Sequence, residues 1–157
     1  MRIRNADRFD VEVAVEFMLA MLDEMAAVEG HPLAERGQVS AWLRERITSA
    51  IHDPDHLLLV AETSSSEPQT IGVVEASITE LHAVFAPKRV LHIHAIYVQP
   101  SHRRQGIARS LMVEAMQRGK LMDCEEVALN TLVGNPARRL YESMGFQVFE
   151  LDMRKSL

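Results

Sequence analysis

Apolar residues recur along the first third of the chain at the spacing of amphipathic helices. They return every three or four positions over residues 11–28, until Gly30, and a second such repeat covers residues 38–51. Residues 2–5 precede them as a short strand, and Asp53-Pro54 ends the second helix because a residue before proline avoids helical backbone. The pattern therefore predicts a βαα opening.

The remaining chain alternates between strand and helix patterns. Apolar runs predict strands at 56–63, 70–78, 90–98, 126–132 and 146–153, and helical repeats predict helices at 105–118 and 136–144. Gly119 is expected to end the first of these helices. The order βααβββαβαβ predicts an α/β domain with a mixed sheet. A length of 157 residues predicts a single domain spanning residues 1–157.

Composition narrows the class of protein. Hydrophobic residues make up 47% of the chain and charged residues 25%, which is typical of soluble globular domains. Cys124 is the only cysteine, which excludes an intramolecular disulfide or a multi-thiolate zinc site. A net charge of −5 argues against a duplex DNA partner. Without a signal-like or membrane-length apolar run, we expect a cytoplasmic protein with no membrane partner.

Positive charge is concentrated where a predicted strand leads into a predicted helix. Residues 102–109 contain Arg103, Arg104 and Arg109 and no acidic residue. Amides at the start of a helix are unpaired and lie at the positive end of its dipole. Gly106 has no side chain to block the approach of phosphate oxygens to these amides. The segment is therefore predicted to bind a pyrophosphate, although it has neither a Walker loop nor a dinucleotide fingerprint.

Two motifs carry a resemblance to a known family. R-R-Q-G-I-A at 103–108 resembles the Q/R-x-x-G-x-G/A loop of the GNAT family of N-acetyltransferases, and NPARRLYESMGF at 135–146 resembles that family's second cofactor element. The predicted element order also resembles the family over nearly the whole chain. The resemblance implies a mixed, mostly antiparallel sheet flanked by helices, with splayed strands that form an acyl-CoA cleft, and acetyl-CoA as cofactor.

The resemblance also assigns residues to that cofactor. Amides of the 103–109 loop would hold the pyrophosphate, β-strand residues before it would pair with the peptide-like pantetheine arm, and residues after the next strand would border this arm. The residues so assigned are Ile96, Tyr97, Val98, Arg103, Arg104, Gln105, Gly106, Ile107, Ala108, Arg109, Asn130, Asn135, Ala137 and Arg138.

Acetyl transfer to an amine requires a base, because an alkyl ammonium with a pKa of about 10.4 is protonated at neutral pH. Strand alternation places His92 and His94 on one face with Ile96 and Val98, and neutral imidazole is a suitable proton acceptor. The H-x-H-A stretch is similar to that of arylalkylamine N-acetyltransferases, where both histidines are implicated in proton removal. Structural histidines are the alternative.

Two further residues are candidates for acid and base chemistry. Glu75, central in the preceding strand, is the rival base, with Glu80 behind it, although either carboxylate could face solvent. Tyr141 occupies the family's general-acid position, from which a hydroxyl would protonate the departing thiolate. HDPDH at 52–56 has metal-ligand residue types, but its proline breaks the helix that would align them, and no metal site is predicted.

The resemblance places the acceptor side on the first two helices and adjoining loops, and Met25, Glu29 and Phe85 are its candidate contacts. Residues 7–35 carry eight carboxylates against one arginine, which favours a cationic acceptor. The predicted function is acetyl-CoA-dependent N-acetylation of a small primary amine by direct attack in a ternary complex. A non-catalytic acyl-CoA sensor or assembly module, a protein N-acetyltransferase, an acyl-CoA hydrolase and a transferase for a hydroxyl acceptor are alternatives. The segment FQVFELDM could support a homodimer.

Overall fold

The computed structural model describes residues 1–29, 33–80, 89–150, 153 and 155, and its element order matches the predicted order as far as the fourth helix. The elements are β1 Arg2–Asn5, α1 Val11–Glu29, α2 Arg36–Ala50, β2 His56–Glu62, β3 Thr70–Glu80, β4 Arg89–Val98, α3 Ile107–Leu121, β5 Glu126–Leu129 and α4 Arg138–Ser143. None of the described helices combines the length and hydropathy that a membrane-spanning helix needs.

The five strands form one mixed sheet in the order β1-β2-β3-β4-β5. Every pair is antiparallel except β4 and β5, which run parallel. Pairing between these two strands stops at Ile93 and Leu129, whereas β4 continues to Val98. Within the described residues, the last five residues of β4 therefore have no partner on the β5 side. This is the mixed sheet that the element order predicted, and it is mostly antiparallel with a splayed strand pair, as the resemblance to the GNAT family implied.

Helices cover both faces of the sheet. Residues of α1 and α2, such as Met18 and Ile47, pack on one face, and α3 and α4 contribute Leu111, Met112 and Tyr141 to the other. The first four of these side chains are at most 2% exposed. Each large apolar side chain buried in this way contributes roughly 1.5–3 kcal/mol through the hydrophobic effect. The apolar stripes of the helices thus determine how they lie on the sheet.

The predicted end of α3 at Gly119 is wrong, because the helix continues to Leu121. Gly119 is buried in its last turn, where a Cβ atom would lie 2.8 Å from Cδ2 of Leu91 on β4. The absence of a side chain lets the helix approach the sheet, so this glycine serves close packing rather than helix termination.

The described part of the predicted last strand, residues 146–150, forms no strand. Val148 is 64% exposed and Phe149 is 101% exposed, so neither packs against the sheet. Alternating apolar residues become a strand only where a neighbouring edge pairs with them, and β5 has no such partner among the described residues. Residues 151 and 152 lie outside the described part of the chain.

Candidate active site

A run of unpaired backbone amides follows the splayed end of β4. The chain turns through a short 3₁₀ helix at Pro100–His102 and enters α3 at Ile107. Among the described residues, the amides of residues 104–109 donate to no acceptor, and Ser110 is the first to bond, to the carbonyl of Gly106. Six successive donors at a helix N-terminus form a site with strong preference for an anion.

The backbone of this loop is shaped to expose those amides. Gly106 has φ +81° and Arg104 has φ +63°, so both lie in the left-handed region. Such turns make successive N–H groups converge on one point. A Cβ atom on Gly106 would meet nothing within 4 Å, which leaves open space above the loop. These features fit a coenzyme A pyrophosphate, and we call residues 104–109 the amide cradle.

The side chain of Arg103 points away from the amide cradle. Its Nε donates to the carbonyl oxygen of Val98 at 2.8 Å, and its Nη2 donates to Oε1 of Glu24 on α1 at 2.6 Å. The guanidinium carbon lies 5.2 Å from the ring centre of Tyr97, which packs 5.3 Å from Phe17. Arg103 therefore fastens the loop to α1, and its guanidinium is committed to these partners.

The other residues assigned to the cofactor lie around the splay. Ile96 and Val98 pack on the α3 face of the sheet, and Asn130 is exposed directly after β5. Asn135 holds the turn before α4, since its Oδ1 accepts a hydrogen bond from the amide of Ala137 at 2.9 Å. Arg138 is paired with Glu142 on the same helix. Separately, Arg109 links α3 to α4 through a hydrogen bond to Oγ of Ser143.

Tyr141 combines a buried ring with an available hydroxyl. The residue is 7% exposed and its ring lies edge-on to Phe146, with centres 6.1 Å apart. Its hydroxyl has no hydrogen-bond partner in the described part of the chain. Burial raises the pKa of Tyr141, so the hydroxyl keeps its proton throughout the neutral range. It can therefore act as a hydrogen-bond donor to a ligand.

A β-bulge interrupts β4 at His94. Glu75 on β3 pairs with Ala95 and Ala76 pairs with Ile93, which leaves His94 as the extra residue. Side chains before and after the bulge consequently alternate in opposite phase. Ile93 packs on the α3 face, whereas Ala95 packs on the α1 face.

The predicted single row of two histidines with Ile96 and Val98 is therefore wrong. His92 pairs with Ser77, which shares its side of β3 with Glu75, so it faces the α1 and α2 layer. Ile96 and Val98 face α3 instead. The extra residue at His94 is the physical reason, because one inserted residue exchanges the two faces of a strand.

Three histidines nevertheless come together, on the face covered by α2. The ring centres of His92 and His94 are 4.8 Å apart, and those of His94 and His56 are 6.3 Å apart. Nε2 of His94 lies 2.7 Å from Oγ of Ser77. We call His56, His92 and His94 the histidine cluster. Its imidazoles can pass a proton among themselves, because each can both accept and donate one.

Glu75 lies beside this cluster. It is 2% exposed, and its Oε1 accepts a hydrogen bond from Nε of Arg46 on α2 at 2.8 Å. The same oxygen is 4.0 Å from Nε2 of His56. The rival bases considered from the sequence thus belong to one site. Glu80 does not, since it is exposed at the end of β3 and pairs with Arg89.

The environment keeps His94 uncharged at neutral pH. Burial of its ring, followed by repulsion from His92, Arg46 and His56, lowers the pKa of His94 to about 4. The residue as a whole is exposed, so solvent and ligands still reach it. Nδ1 of His92 is buried without a hydrogen-bond partner in the described residues. Unprotonated imidazole nitrogen is therefore available at this site.

Sequence reasoning missed several members of the site. Arg46 carried no motif, and Ser77 could have been found because it lies two positions from Glu75 on an alternating strand. His56 was considered only as a metal ligand, and no group of described residues could hold a metal ion. Instead, its Nδ1 lies 3.2 Å from Oδ2 of Asp53.

Arginines pair with four of the carboxylates in residues 7–35, the acidic stretch that suggested a cationic acceptor. Asp10, Glu12, Asp23 and Glu24 hydrogen-bond Arg4, Arg44, Arg36 and Arg103, respectively. Their negative charge is therefore largely compensated within the protein. Of the predicted acceptor contacts, Met25 is half-buried on α1. Glu29 ends this helix, and its side chain lies outside the described residues, as does Phe85.

Comparison with known proteins identifies the family. The family model for the acetyltransferase (GNAT) family matches residues 19–146. An aminoglycoside N(6')-acetyltransferase type 1 from Acinetobacter haemolyticus is 34% identical over 87 residues, which cover 54% of this chain and 60% of that protein. Human N-acetyltransferase 8 is also 34% identical, over 54% of this chain and 37% of its own length. The chain thus matches only part of each of these relatives.

Solved structures show the same fold. The tetramutant of the BH1408 protein from Bacillus halodurans superposes with a TM-score of 0.85 at 18% identity, covering 100% of both chains. An aminoglycoside 6'-N-acetyltransferase from Acinetobacter haemolyticus gives a TM-score of 0.74 at 24% identity, covering 100% of this chain and 98% of that one. An aminoglycoside N-acetyltransferase bound to CoA gives a TM-score of 0.69 at 20% identity, covering 99% of this chain and 100% of that one.

The amide cradle after a splayed β4, the family match over residues 19–146 and the shared fold agree with one another. Members of this family use acetyl-CoA as their acyl donor. The chain belongs to the GNAT acetyltransferase family, with acetyl-CoA as its cofactor.

Proposed function

We propose that this protein transfers an acetyl group from acetyl-CoA to a small primary amine by direct attack in a ternary complex. The observation that supports this most is the histidine cluster with Glu75, because two of its histidines, His92 and His94, lie on β4, the strand that leads into the amide cradle. A module that only bound acyl-CoA would need the cradle but not a group of proton acceptors beside it.

The amine must lose a proton before it attacks. In our proposal, the proton moves from the ammonium nitrogen to an imidazole nitrogen of the His92 and His94 pair. His94 is uncharged at neutral pH and its ring is fixed by Ser77, so it presents an unprotonated nitrogen to the amine. Its lowered pKa also makes it a weak base, so it has to pass the proton on at once. The buried carboxylate of Glu75 lies on the same face of the sheet as His92, and we propose that it stabilises the transient positive charge.

Acetyl-CoA, when bound, supplies an activated acetyl group whose leaving group is a thiolate. The unpaired amides of residues 104–109 are proposed to bind its pyrophosphate. Main-chain groups of β4 beyond Ile93 have no partner on β5, and we propose that they bind its pantetheine arm. A β4 amide near Val98 would polarise the thioester carbonyl. The Tyr141 hydroxyl would donate its proton to the departing sulfur, consistent with its raised pKa.

The relatives favour a small acceptor. The Acinetobacter relative is an aminoglycoside N(6')-acetyltransferase, an enzyme named for a small polyamine substrate. An amine of this general class is our first candidate, although compensation of the acidic stretch by arginines reduces the electrostatic preference for a strongly cationic molecule. A protein N-terminus or lysine is the second candidate class.

The experiment is a thiol-release assay with acetyl-CoA across aminoglycosides, arylalkylamines, polyamines and a lysine peptide, each compared with a reaction without amine. We expect release that depends on one class of small amine and is strongly reduced in the His92→Gln, His94→Gln double variant. Release without amine would indicate a hydrolase. Tight binding of acetyl-CoA with no release for any amine would instead favour the acyl-CoA sensor.

A further inference from the structure

We propose that His56, held in place by Asp53, is the outlet through which the proton taken from the acceptor amine leaves the histidine cluster for solvent. This inference rests on the proposed function, because it concerns the fate of the proton that the His92 and His94 pair accepts. His56 does not touch the amine in this scheme, so it is a positioning and relay residue rather than a catalytic one.

The register of the sheet aligns the residues of the proposed relay. His56 on β2 pairs with Ser77 on β3, and Ser77 pairs with His92 on β4, so the three side chains lie in one row across the sheet. Directly paired residues have Cβ atoms only about 4.5–5.5 Å apart. His94 bulges out beside this row and its ring stacks at 6.3 Å on His56. The row therefore connects the predicted base to the edge of the cluster.

Asp53 fixes the hydrogen-bonding state of His56. Its Oδ1 accepts the amide of Asp55 at 2.9 Å, and its Oδ2 lies 3.2 Å from Nδ1 of His56. These hydrogen bonds lower the pKa of Asp53, so it is a carboxylate that accepts a hydrogen bond from Nδ1–H of His56. Nε2 of His56 is then left unprotonated, and it is the atom that lies toward Glu75.

His56 lies between two carboxylates. Asp53 is 3.2 Å from one ring nitrogen and Glu75 is 4.0 Å from the other. A proton arriving at Nε2 therefore converts His56 to an imidazolium with an anion on either side. The groups that face it are Glu75 from β3, His92 and His94 from β4, Arg46 from α2, and Asp53 and the Arg89-paired Asp55 from the preceding loop.

His56 also opens onto solvent. It lines an open groove of about 470 Å³, together with Asp53, Pro54 and Arg118, among others. β2 and β4 run in the same direction, because both are antiparallel to β3. The groove lies at the start of β2 and the amide cradle follows the end of β4, so they lie at opposite ends of these strands. The six steps along the chain from His92 to Val98 separate these levels by about 20 Å at the rise of a β-strand. A proton can thus leave without crossing the cofactor site.

Proton balance is simple. The ammonium loses its first proton to the His92 and His94 pair, the pair returns to neutral by passing it to Nε2 of His56, and His56 releases it to water in the groove. The second proton leaves the nitrogen after the C–N bond has formed and replaces the one that Tyr141 gives to the departing sulfur. No residue is left changed after a cycle. The exposed side of His94 is the side that the bound amine covers in this scheme, so while the amine is bound the proton leaves the pair through His56. Removal of His56 should therefore slow proton release from the ternary complex, and this gives the test.

The test compares His56→Gln with His52→Gln in the full-length protein. His52 is the matched control, because it lies four positions earlier, is exposed and makes no side-chain hydrogen bond within the described residues. We expect kcat of His56→Gln to fall about tenfold at neutral pH, while its KM for acetyl-CoA stays unchanged. Adding a small buffer base should then raise the kcat of His56→Gln again, in proportion to the concentration of the base. Wild type and His52→Gln show no such buffer dependence.

A second measurement does not depend on turnover. Nitrogen-15 chemical shifts of the imidazoles in the cofactor-free protein report which ring nitrogen of His56 carries the proton. We expect the proton on Nδ1 in wild type, and we expect Asp53→Asn to remove the preference for Nδ1 over Nε2. Nε2–H in wild type would overturn the relay. So would a His56→Gln enzyme that equals His52→Gln, or one whose lost kcat no buffer restores.

Failure of the proposed function is distinguishable from failure of the relay. If wild type acetylates amines but His56→Gln does so equally well, the relay alone is wrong. If wild type binds acetyl-CoA and acetylates no amine, the proposed function is wrong and the outlet falls with it.

Discussion

The imidazole rings of His92 and His94 lie 4.8 Å apart because a β-bulge places His94 outside the pairing of β3 and β4. In a regular strand both side chains would point to one face about 7 Å apart. The bulge also turns the following residues of β4, so that Ile96 and Val98 face α3 while the histidines face α2. One inserted residue thereby separates a site for proton transfer from the strand segment proposed to bind pantetheine.

Substitution of Gly106 tests the amide cradle. We expect Gly106→Asn to lower acetyl-CoA affinity at least about tenfold, because a side chain would occupy the open space above the amides. Asparagine tolerates the left-handed backbone at φ +81°, so the melting temperature should change little. Gly106→Val should lose affinity and also stability. Calorimetric titration of Gly106→Asn that matches wild type would contradict the cradle.

Arg103 is expected to support cofactor binding indirectly. Because its guanidinium bonds Glu24 and the carbonyl of Val98, both Arg103→Met and Glu24→Gln should loosen the loop and weaken acetyl-CoA binding by similar factors. Their effects should not add in the double variant, since both break the same contact. Dissociation constants from titration check this. A loss confined to Arg103→Met would show that the guanidinium contacts phosphate instead.

Tyr141→Phe tests the proposed proton donor. The ring is buried against Phe146, and phenylalanine preserves this packing. We expect kcat to fall about 10- to 100-fold with unchanged affinity for acetyl-CoA, because only the departing thiolate needs the proton. Steady-state kinetics and titration of the same preparation separate the two quantities. Wild-type kcat would remove Tyr141 from the mechanism.

The Arg46–Glu75 pair is expected to matter for stability. Removing Arg46 leaves the carboxylate of Glu75 buried without its hydrogen bond, so Arg46→Met should lower the free energy of unfolding by about 3 kcal/mol. Arg44→Met on the same helix is the control, because the Arg44–Glu12 pair is exposed and its loss should change little.

Urea denaturation measures both variants of this pair. Adding Glu75→Met to Arg46→Met should restore much of the loss, since no buried charge then remains. An Arg46→Met protein as stable as Arg44→Met would show that the buried carboxylate does not depend on this arginine.

His94 should make stability depend on pH. Its pKa is about 4 in the folded protein against 6.5 when unperturbed, so below about pH 6.5 the unfolded chain binds a proton that the folded chain does not. Stability therefore falls as pH decreases from about 6.5 to about 4. In His94→Gln this fall should be shallower, while His52→Gln keeps the wild-type slope. Identical slopes in all three proteins would contradict the lowered pKa.

Local patterns were sufficient to predict most of the fold. Helical and alternating repeats identified nine of the elements, because hydrophobic periodicity reflects one-sided burial. The amide cradle could also be predicted, since a glycine after a strand and before a helix determines its geometry locally. The strand predicted at residues 146–153 was wrong for its described part, residues 146–150. Strand formation there depends on a partner edge, and no local pattern specifies one.

The arrangement of the proton-transfer site depends on tertiary structure. The bulge at His94 arises from the register of β3 against β4, and alternation along one strand does not reveal an inserted residue. Arg46 reaches Glu75 only because α2 packs over the sheet, and His56 joins the cluster only through its pairing with Ser77. The residues that meet at the bulge, in the Arg46–Glu75 pair and in the His56–Ser77 pair are at least 17 positions apart in sequence.

Mass spectrometry of a small amine after incubation with acetyl-CoA and the wild-type protein tests the central claim most directly. Our account predicts that the amine gains one acetyl group on nitrogen, in an amount equal to the thiol released, and that the His92→Gln, His94→Gln variant forms far less product while binding acetyl-CoA normally. Unmodified amines across the whole panel, from a protein that binds acetyl-CoA, would contradict it.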